Sequence, residues 1–178
     1  DLLKEGELSA QEQQDALGII NRNSNHLVQI INDLLDLSKF ETQSVVLIKQ
    51  PFDLRKILTD TFESISAEID QKKVCPLLRL DENLAKHYLG DAVRLRQIIV
   101  NLLNNAIKFT AEGTIALKVQ VANQNDSLHE IHILVEDSGV GMSADYQTQI
   151  FKPFSQEDNT LARKFGGAGL GLAIVKRL

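Results

Sequence analysis

The stretch that decides the fold reads Arg94-Leu-Arg-Gln-Ile-Ile-Val-Asn-Leu-Leu-Asn-Asn-Ala-Ile-Lys-Phe109. On a helix with ~100° per residue its apolar side chains share one face, which predicts a helix packed against a core. Most of its polar residues lie within about 60° of Asn101 on the opposite face: Arg94, Gln97, Asn104, Asn105 and Lys108. Asparagine is a poor interior helix former because its amide competes with the backbone for hydrogen bonds. Three asparagines beside a lysine therefore indicate a ligand-binding face. Their neutral amide oxygens suit Mg²⁺, and together with the lysine they suit the phosphate oxygens that Mg²⁺ binds in nucleotide sites.

Glycine is concentrated on the C-terminal side of this stretch, since six of the ten glycines lie between Gly139 and Gly171. Average usage of ~7% would place about two glycines in a stretch of that length. The first motif, Glu136-Asp-Ser-Gly-Val-Gly141, follows an apolar strand. A carboxylate ahead of a glycine pair can accept a hydrogen bond from an exocyclic amine while a flat ring approaches the backbone. The second motif, Phe165-Gly-Gly-Ala-Gly-Leu-Gly171, leads into a helix whose amides and dipole favour phosphate.

Two other nucleotide motifs fit these glycines less well. Gly166 and Gly171 have the outer spacing of a P-loop, but Leu172 occupies the position of the required lysine. The spacing Gly139-x-Gly-x-x-Ala144 resembles a dinucleotide fingerprint, yet no clear second strand of a βαβ unit follows it. The combination instead predicts an adenine-binding carboxylate, a Mg²⁺–phosphate helix and a phosphate-binding turn.

Strands and helices interleave along the chain, and several strands are consecutive. The pattern predicts a helix from the capping box at Ser9 to about Phe40, and helices over 54–69 and 92–109 that are capped by Asp53 and Asp91. A short helix is predicted over 143–151 and a last helix from about Gly169. Strands are predicted over 45–48, which would be buried, and over 74–80, 114–122 and 129–136. This order favours an α+β fold over a doubly wound parallel sheet. We expect a two-layer α/β sandwich, with a mixed sheet covered by helices on one face, preceded by a long helix of a dimeric helical bundle.

The long N-terminal helix carries apolar residues with the 3–4–3 spacing of a coiled coil or antiparallel bundle: Ile20, Leu27, Ile30, Leu34 and Leu37. A single helix cannot bury such a stripe alone, so the pattern predicts a partner helix. His26 lies among these residues and is interpreted as a tolerated bundle residue. The predicted domains are therefore a helical region, 1–42, and an α/β domain, 43–178.

Composition excludes several classes of protein. Nineteen basic against twenty-four acidic residues in a chain of 178 give a net charge of −5, which argues against a nucleic-acid-coating surface. No apolar run approaches the ~18 residues of a membrane-spanning helix. The single Cys75 excludes an internal disulfide and a multi-cysteine zinc site, so a reduced, cytosolic setting is expected.

The order of these motifs resembles the ATP-binding catalytic domain of sensor histidine kinases, in the superfamily shared with type II topoisomerases, mismatch-repair ATPases and a heat-shock chaperone. The four sequence boxes of that domain are similar to Asn101-Leu-Leu-Asn-Asn-Ala-Ile-Lys108, Asp137-Ser-Gly-Val-Gly141, Phe151-Lys-Pro-Phe154 and Gly167-Ala-Gly-Leu-Gly171. The stretch Leu34-Leu-Asp-Leu-Ser-Lys-Phe40 resembles the second helix of the dimerisation and phosphotransfer module. The sequence after Phe154 most resembles hybrid kinases, which carry a receiver domain.

The resemblance implies a site for ATP and Mg²⁺. Asn105 would ligate the metal, Asn101 and Lys108 would lie near the phosphates, and Asp137 would bind the adenine amine. A mobile lid over 142–165 would be anchored by two phenylalanines and would bring Arg163 to the γ-phosphate. The catalytic set would be Asn101, Asn105, Lys108 and Arg163, and the full nucleotide-binding set adds Phe109, Asp137, Gly139, Gly141, Phe151, Phe154, Gly167, Gly169, Leu170 and Gly171.

The implied activity is transfer of the ATP γ-phosphate to a histidine of the dimerisation domain, for relay to an aspartate of a response regulator. Implied partners are a second copy through the N-terminal helix, the helix bearing the phosphoacceptor histidine, and a receiver domain, with no nucleic acid. The implied location is the cytoplasmic part of an inner-membrane sensor.

Three departures from the family pattern leave alternatives open. Ala168 replaces the usual Thr or Ser, the chain ends at Leu178 within the last helix, and the phosphoacceptor motif is missing because Leu-Val follows His26. A nucleotide-binding module without transfer activity is therefore one alternative. A hydrolytic ATPase is another, disfavoured because Asn101 occupies the position of the glutamate that activates water.

Overall fold

The computed structural model describes residues 9–42, 46–69, 73–125, 128–156 and 168–178. The elements are, in chain order, α1 Ala10–Thr42, β1 Gln50–Phe52, α2 Leu54–Ile69, β2 Lys73–Leu80, β3 Tyr88–Gly90, α3 Ala92–Phe109, β4 Glu112–Gln124, β5 His129–Asp137, α4 Ala144–Gln147 and α5 Gly171–Arg177. Within these ranges no helix is both long and apolar enough to span a bilayer.

The main sheet has three strands in the order β2-β4-β5, with β2 parallel and β5 antiparallel to β4. Pro76 lies in the edge strand β2, where a missing backbone N–H is tolerated. A separate antiparallel pair joins β1 to β3. The mixed sheet with its helices confirms the predicted α+β sandwich.

The core lies between one face of the sheet and helices α2 and α3. Leu58 of α2, Ile99 and Leu103 of α3, and Ile115 and Leu117 of β4 are completely buried. Alternate residues of β4 and β5 point to the opposite, more exposed face, as the strand period of two requires. The two helices are thereby held on one face of the sheet.

Side-chain caps fix where the helices begin. The Asp53 carboxylate accepts a hydrogen bond from the Lys56 N–H at 2.9 Å. The Asp91 carboxylate accepts from the N–H groups of Val93 and Arg94, each at 3.1 Å. Because caps are short-range interactions, both helix starts were predicted correctly.

Helix α1 begins with the predicted capping box, in which the Ser9 N–H donates to the Glu12 carboxylate at 2.8 Å. Its C-terminal part contacts the α/β domain, where Leu37 packs with Leu170 and Ile174. Most of the predicted seam is exposed. Among the side chains of this helix whose burial the structure describes, the large apolar ones that are exposed are Leu17, Ile19, Ile20, Leu27, Val28, Ile31, Leu34 and Leu35.

The predicted buried strand over 45–48 is wrong. Residues 46–49 have no regular structure, and Val46 and Ile48 are 84% and 63% exposed. Val45 lies outside the described residues. Residues 46–48 have no partner strand in the part of the chain that the structure describes, and the Ile48 N–H instead donates to the Asp91 carboxylate at 3.0 Å. The strand begins at Gln50 and pairs with β3, which was not predicted.

Two other boundaries differ from the prediction. The helix expected over 143–151 ends at Gln147 and continues as successive turns, in which the Gln149 N–H donates to the Tyr146 carbonyl. The last helix begins at Gly171 rather than Gly169, because Gly169 has a φ of +70°, which is incompatible with a right-handed helix.

Candidate functional site

The C-terminal half of α3 presents two polar side chains that are half-buried, Asn105 and Lys108. The Lys108 ammonium lies 4.8 Å from the centre of the Phe109 ring. Burial lowers the pKa of Lys108 from its usual value, because desolvation disfavours the charged form. Within the described residues, no hydrogen bond engages the Asn105 amide, so this part of the helix can accept a ligand.

The first glycine turn, residues 137–141, is attached to the C-terminal end of α3. The Val140 N–H donates to the Phe109 carbonyl at 3.4 Å. A Cβ on Gly139 would lie 2.5 Å from that same carbonyl oxygen, so only glycine allows this approach. The predicted binding residues of the first motif therefore lie directly beside the end of the helix.

Asp137 ends strand β5 and is exposed. One of its carboxylate oxygens accepts from the Gly139 N–H at 2.9 Å, which orients the group within the turn. Its other oxygen has no partner among the described residues and can accept from an amine. Ser138 is not among the predicted site residues, but it fixes the turn to β4, since its hydroxyl accepts from the Thr114 N–H at 2.8 Å.

The second glycine turn, described over residues 168–171, packs against the segment that contains Phe151 and Phe154. The Phe154 N–H donates to the Gly169 carbonyl at 3.1 Å, and Phe154 itself has a φ of 61°. The two phenylalanine side chains are 45% and 62% exposed. The contact between this segment and the turn is thus made by backbone atoms rather than by burial of the aromatic rings.

Helix α5 follows the second glycine turn and lies against the middle of α3. The Asn101 amide donates to the Gly171 carbonyl at 3.5 Å. Leu170 is buried, whereas Gly171 is half-buried. The two glycine turns therefore contact α3 at Asn101 and Phe109, roughly 12 Å apart along its axis, with Asn105 midway between them.

The structure brings most of the predicted site residues together around the C-terminal half of α3. Arg163 and Gly167 lie outside the described residues, together with the predicted lid beyond residue 156. The N-terminal half of the polar face has a different environment. Arg94 and Gln97 donate to the Asp36 carboxylate of α1, at 3.2 and 2.8 Å.

Comparison with known proteins identifies families and relatives that this chain resembles. Residues 90–178 match the model of the histidine kinase-, DNA gyrase B- and HSP90-like ATPase family, and residues 1–43 match the His kinase A (phospho-acceptor) domain. Sensor protein GacS of Pseudomonas syringae pv. syringae is 42% identical over 179 residues, a match that covers 99% of this chain and 19% of GacS. Hybrid signal transduction histidine kinase A of Dictyostelium discoideum is 39% identical over 184 residues, covering 100% of this chain and 8% of that protein.

Among solved structures, full-length ShkA in complex with AMPPNP has a TM-score of 0.75 and 30% sequence identity, covering 99% of this chain and 35% of ShkA. Acinetobacter baumannii histidine kinase AdeS has a TM-score of 0.68 at 24% identity, a likeness of fold. The chain spans 19% or less of the length of the two curated relatives described above.

Proposed function

Because this chain belongs to the histidine kinase-, DNA gyrase B- and HSP90-like ATPase family, we propose that it is the ATP-binding catalytic part of a sensor histidine kinase. The observation that carries the proposal is the open polar face at Asn105 and Lys108, which two glycine turns bracket along α3. Backbone N–H groups of side-chain-poor turns and a lysine together favour a polyphosphate. The free oxygen of Asp137 favours the exocyclic amine of adenine as the base.

The residues present fit a Mg²⁺ ion shared with the nucleotide. Among the described residues, no group of three or more His, Cys, Asp or Glu could hold a metal ion. Asn105 offers one neutral amide oxygen, and Mg²⁺ in nucleotide sites takes most of its other ligands from phosphates and water. When bound, the ion neutralises the charge that develops on the transferred phosphoryl group.

The proposed reaction moves the γ-phosphate of ATP to a histidine imidazole and releases ADP. Phosphoryl transfer depends mainly on positioning and charge neutralisation, and we assign these to Lys108 and the glycine-turn amides, with Arg163 at the γ-phosphate. Asn101 cannot act as a strong base toward water, which favours transfer over hydrolysis.

The acceptor histidine belongs to a helix carrying the phosphoacceptor motif, which this sequence lacks. The exposed apolar face of α1 would pair with such helices in a homodimer, since a stripe of this kind requires a helical partner. A receiver domain then takes the phosphoryl group onto an aspartate. We place these events in the cytoplasmic part of an inner-membrane sensor.

Calorimetric titration with the ATP analogue AMPPNP, with and without Mg²⁺, tests the binding step. Wild type is expected to bind more tightly with the ion, and Asp137→Ala to lose affinity on the order of 100-fold, or about 2.7 kcal/mol. Absence of binding by the wild-type chain would overturn the proposal.

Mixing the chain with ATP and a separate helical domain that bears the histidine motif tests the transfer step. Labelled phosphohistidine on that domain supports the kinase. Binding without any label favours a regulatory nucleotide-binding module, and rapid steady-state release of phosphate favours a hydrolytic ATPase.

A further inference from the structure

Helix α1 has two faces with different surroundings. At ~100° per residue, the exposed residues Leu27, Ile31 and Leu34 lie within about 60° of one another. Leu37 and Asp33, which are 7% and 8% exposed, lie about 90° and 130° around the helix from the centre of that face. The first face remains available to other helices while the second rests on the α/β domain.

A polar cluster, which we call the clasp, joins α1 to the N-terminal half of α3. It consists of Asp36, Arg94 and Gln97. The Asp36 carboxylate accepts from both partners, at 3.2 and 2.8 Å, and the Arg94 guanidinium also donates to the Gln97 amide oxygen at 2.8 Å. The Asp36 and Arg94 side chains are only 20% and 30% exposed. Partial burial and the shared acceptor make this pair stronger than a solvated surface ion pair.

An apolar contact lies beside the clasp and reaches the second glycine turn. Leu37 packs with Leu170 and Ile174, which are 1% and 0% exposed. Leu170 belongs to the turn itself, directly after Gly169. Helix α5 packs against α1 through Ile174 and against α3 at Gly171, so both contacts contribute to its order.

We infer that Asp36 is a positioning residue for the nucleotide: it holds α1 in place through the clasp, and α1 in turn orders the second glycine turn. This inference rests on the proposed function, because it requires that the turn binds phosphate. Docking of α1 and binding of nucleotide then favour each other, since coupling between two sites is reciprocal.

The packing of Leu37 against Leu170 predicts that loss of the clasp lowers nucleotide affinity. Without the clasp, Leu37 leaves its contact, Leu170 becomes solvated, and the turn must be ordered at the expense of nucleotide affinity. Asp36→Lys replaces a negative charge with a positive one, which by itself attracts an anionic nucleotide. A loss of affinity in this variant therefore cannot come from simple electrostatics.

The test is a titration of the whole 178-residue chain with AMPPNP and Mg²⁺, in wild type, Asp36→Lys and Asp15→Lys. Asp15 is exposed on the same helix, so Asp15→Lys makes the same charge change away from the clasp. We expect Asp36→Lys to weaken binding by roughly five- to twentyfold, within the usual range of coupling between sites. Asp15→Lys is expected to bind at least as tightly as wild type. The double change Asp36→Arg with Arg94→Asp restores the pair in reverse and is expected to recover most of the affinity.

Hydrogen exchange provides a second readout that a general loss of stability would not reproduce. Amides of residues 168–177 are expected to exchange faster in Asp36→Lys, while those of α2 keep the wild-type rate. Saturating AMPPNP is expected to slow exchange at the C-terminal end of α1 in wild type.

Three results would overturn the inference. They are equal affinity of Asp36→Lys and Asp15→Lys, no recovery in the reversed pair, and unchanged exchange over residues 168–177. If wild type itself binds no nucleotide, the proposed function fails. If wild type binds and Asp36→Lys binds equally well, only the positioning role fails.

Discussion

The two halves of the polar face of α3 each carry an amide and a basic side chain, but these side chains have different partners. Arg94 and Gln97 are held by Asp36, a residue 58 and 61 positions away in the chain. The side chains of Asn105 and Lys108, about two to four turns further along the helix, have no hydrogen bond to the described residues. A half-buried polar group usually finds a hydrogen-bond partner, so we propose that a ligand completes the half whose side chains have no such partner among the described residues. The comparison separates a structural contact from a proposed binding surface on a single helix face.

The largest effect is expected from Asn105→Ala compared with Asn104→Ala. The neighbouring Asn104 is exposed, and its loss removes the same amide from the same helix. We expect Asn105→Ala to lower AMPPNP affinity in the presence of Mg²⁺ by on the order of 100-fold, about 2.7 kcal/mol, because the proposed metal ligand is gone. Asn104→Ala is expected to stay within about twofold of wild type.

Calorimetry with Mg²⁺ and again with a chelator measures this difference. The metal-dependent part of the affinity should disappear in Asn105→Ala and persist in Asn104→Ala. Equal losses in the two variants would show that the open half of the helix does not act as a specific ligand surface.

An intermediate effect is expected where the first glycine turn meets the C-terminal end of α3. A Cβ on Gly139 would lie 2.5 Å from the Phe109 carbonyl oxygen, and backbone cannot easily move away. Gly141 has open space around it and a φ of +71°, so alanine there meets strain without a clash. We expect Gly139→Ala to lower the free energy of unfolding by about 2–4 kcal/mol and Gly141→Ala by about 1 kcal/mol.

Urea unfolding of both variants without nucleotide checks this order. A reversed order would mean that the turn is not packed against the helix end as described. Equal, small losses would mean that the turn moves freely when no ligand is bound.

Features that depend on short-range interactions could be predicted from the sequence. The starts of α2 and α3 follow from Asp53 and Asp91, whose carboxylates cap the first turn of each helix. The strands β4 and β5 were predicted from two strand-like runs on either side of the turn-rich residues 123–127, and the structure pairs them antiparallel. The strand over 45–48 failed because four apolar residues can be buried only if a partner exists, and the sequence does not show whether one does.

The candidate site could be predicted as a set of motifs but not as a set of contacts. The glycines stand out in the sequence because they allow a close backbone approach or a positive φ. Asp137 stands out because its carboxylate directly precedes them. Nothing local distinguishes Arg94 from Lys108, since the difference lies in whether α1 approaches. The exposure of Phe151 and Phe154 was also unpredictable, because two aromatics in a short motif normally indicate burial.

The smallest effect is expected at the N-terminal end of α3, where Asp91 is the cap. Its carboxylate accepts from the Ile48 N–H at 3.0 Å and from the N–H groups of Arg94 and Val93. These hydrogen bonds lower the pKa of Asp91 below its usual 3.8, and the bond from the Ile48 N–H has the largest effect. Asp91→Ala is therefore expected to lower the melting temperature by a few degrees at neutral pH. The matched control is Asp60→Ala, at an exposed position of α2, which is expected to change the melting temperature less.

The difference in melting temperature between wild type and Asp91→Ala should depend on pH. When folding lowers the pKa of an acid, the added stability is complete above the unfolded-state pKa and disappears as the pH falls through the folded-state pKa. The difference in melting temperature between wild type and Asp91→Ala should thus be constant near neutrality and shrink below about pH 3.8. Thermal melts by circular dichroism at stepped pH measure it. A difference that persists unchanged in acid would mean that helix packing, rather than the charged cap, fixes this end of α3.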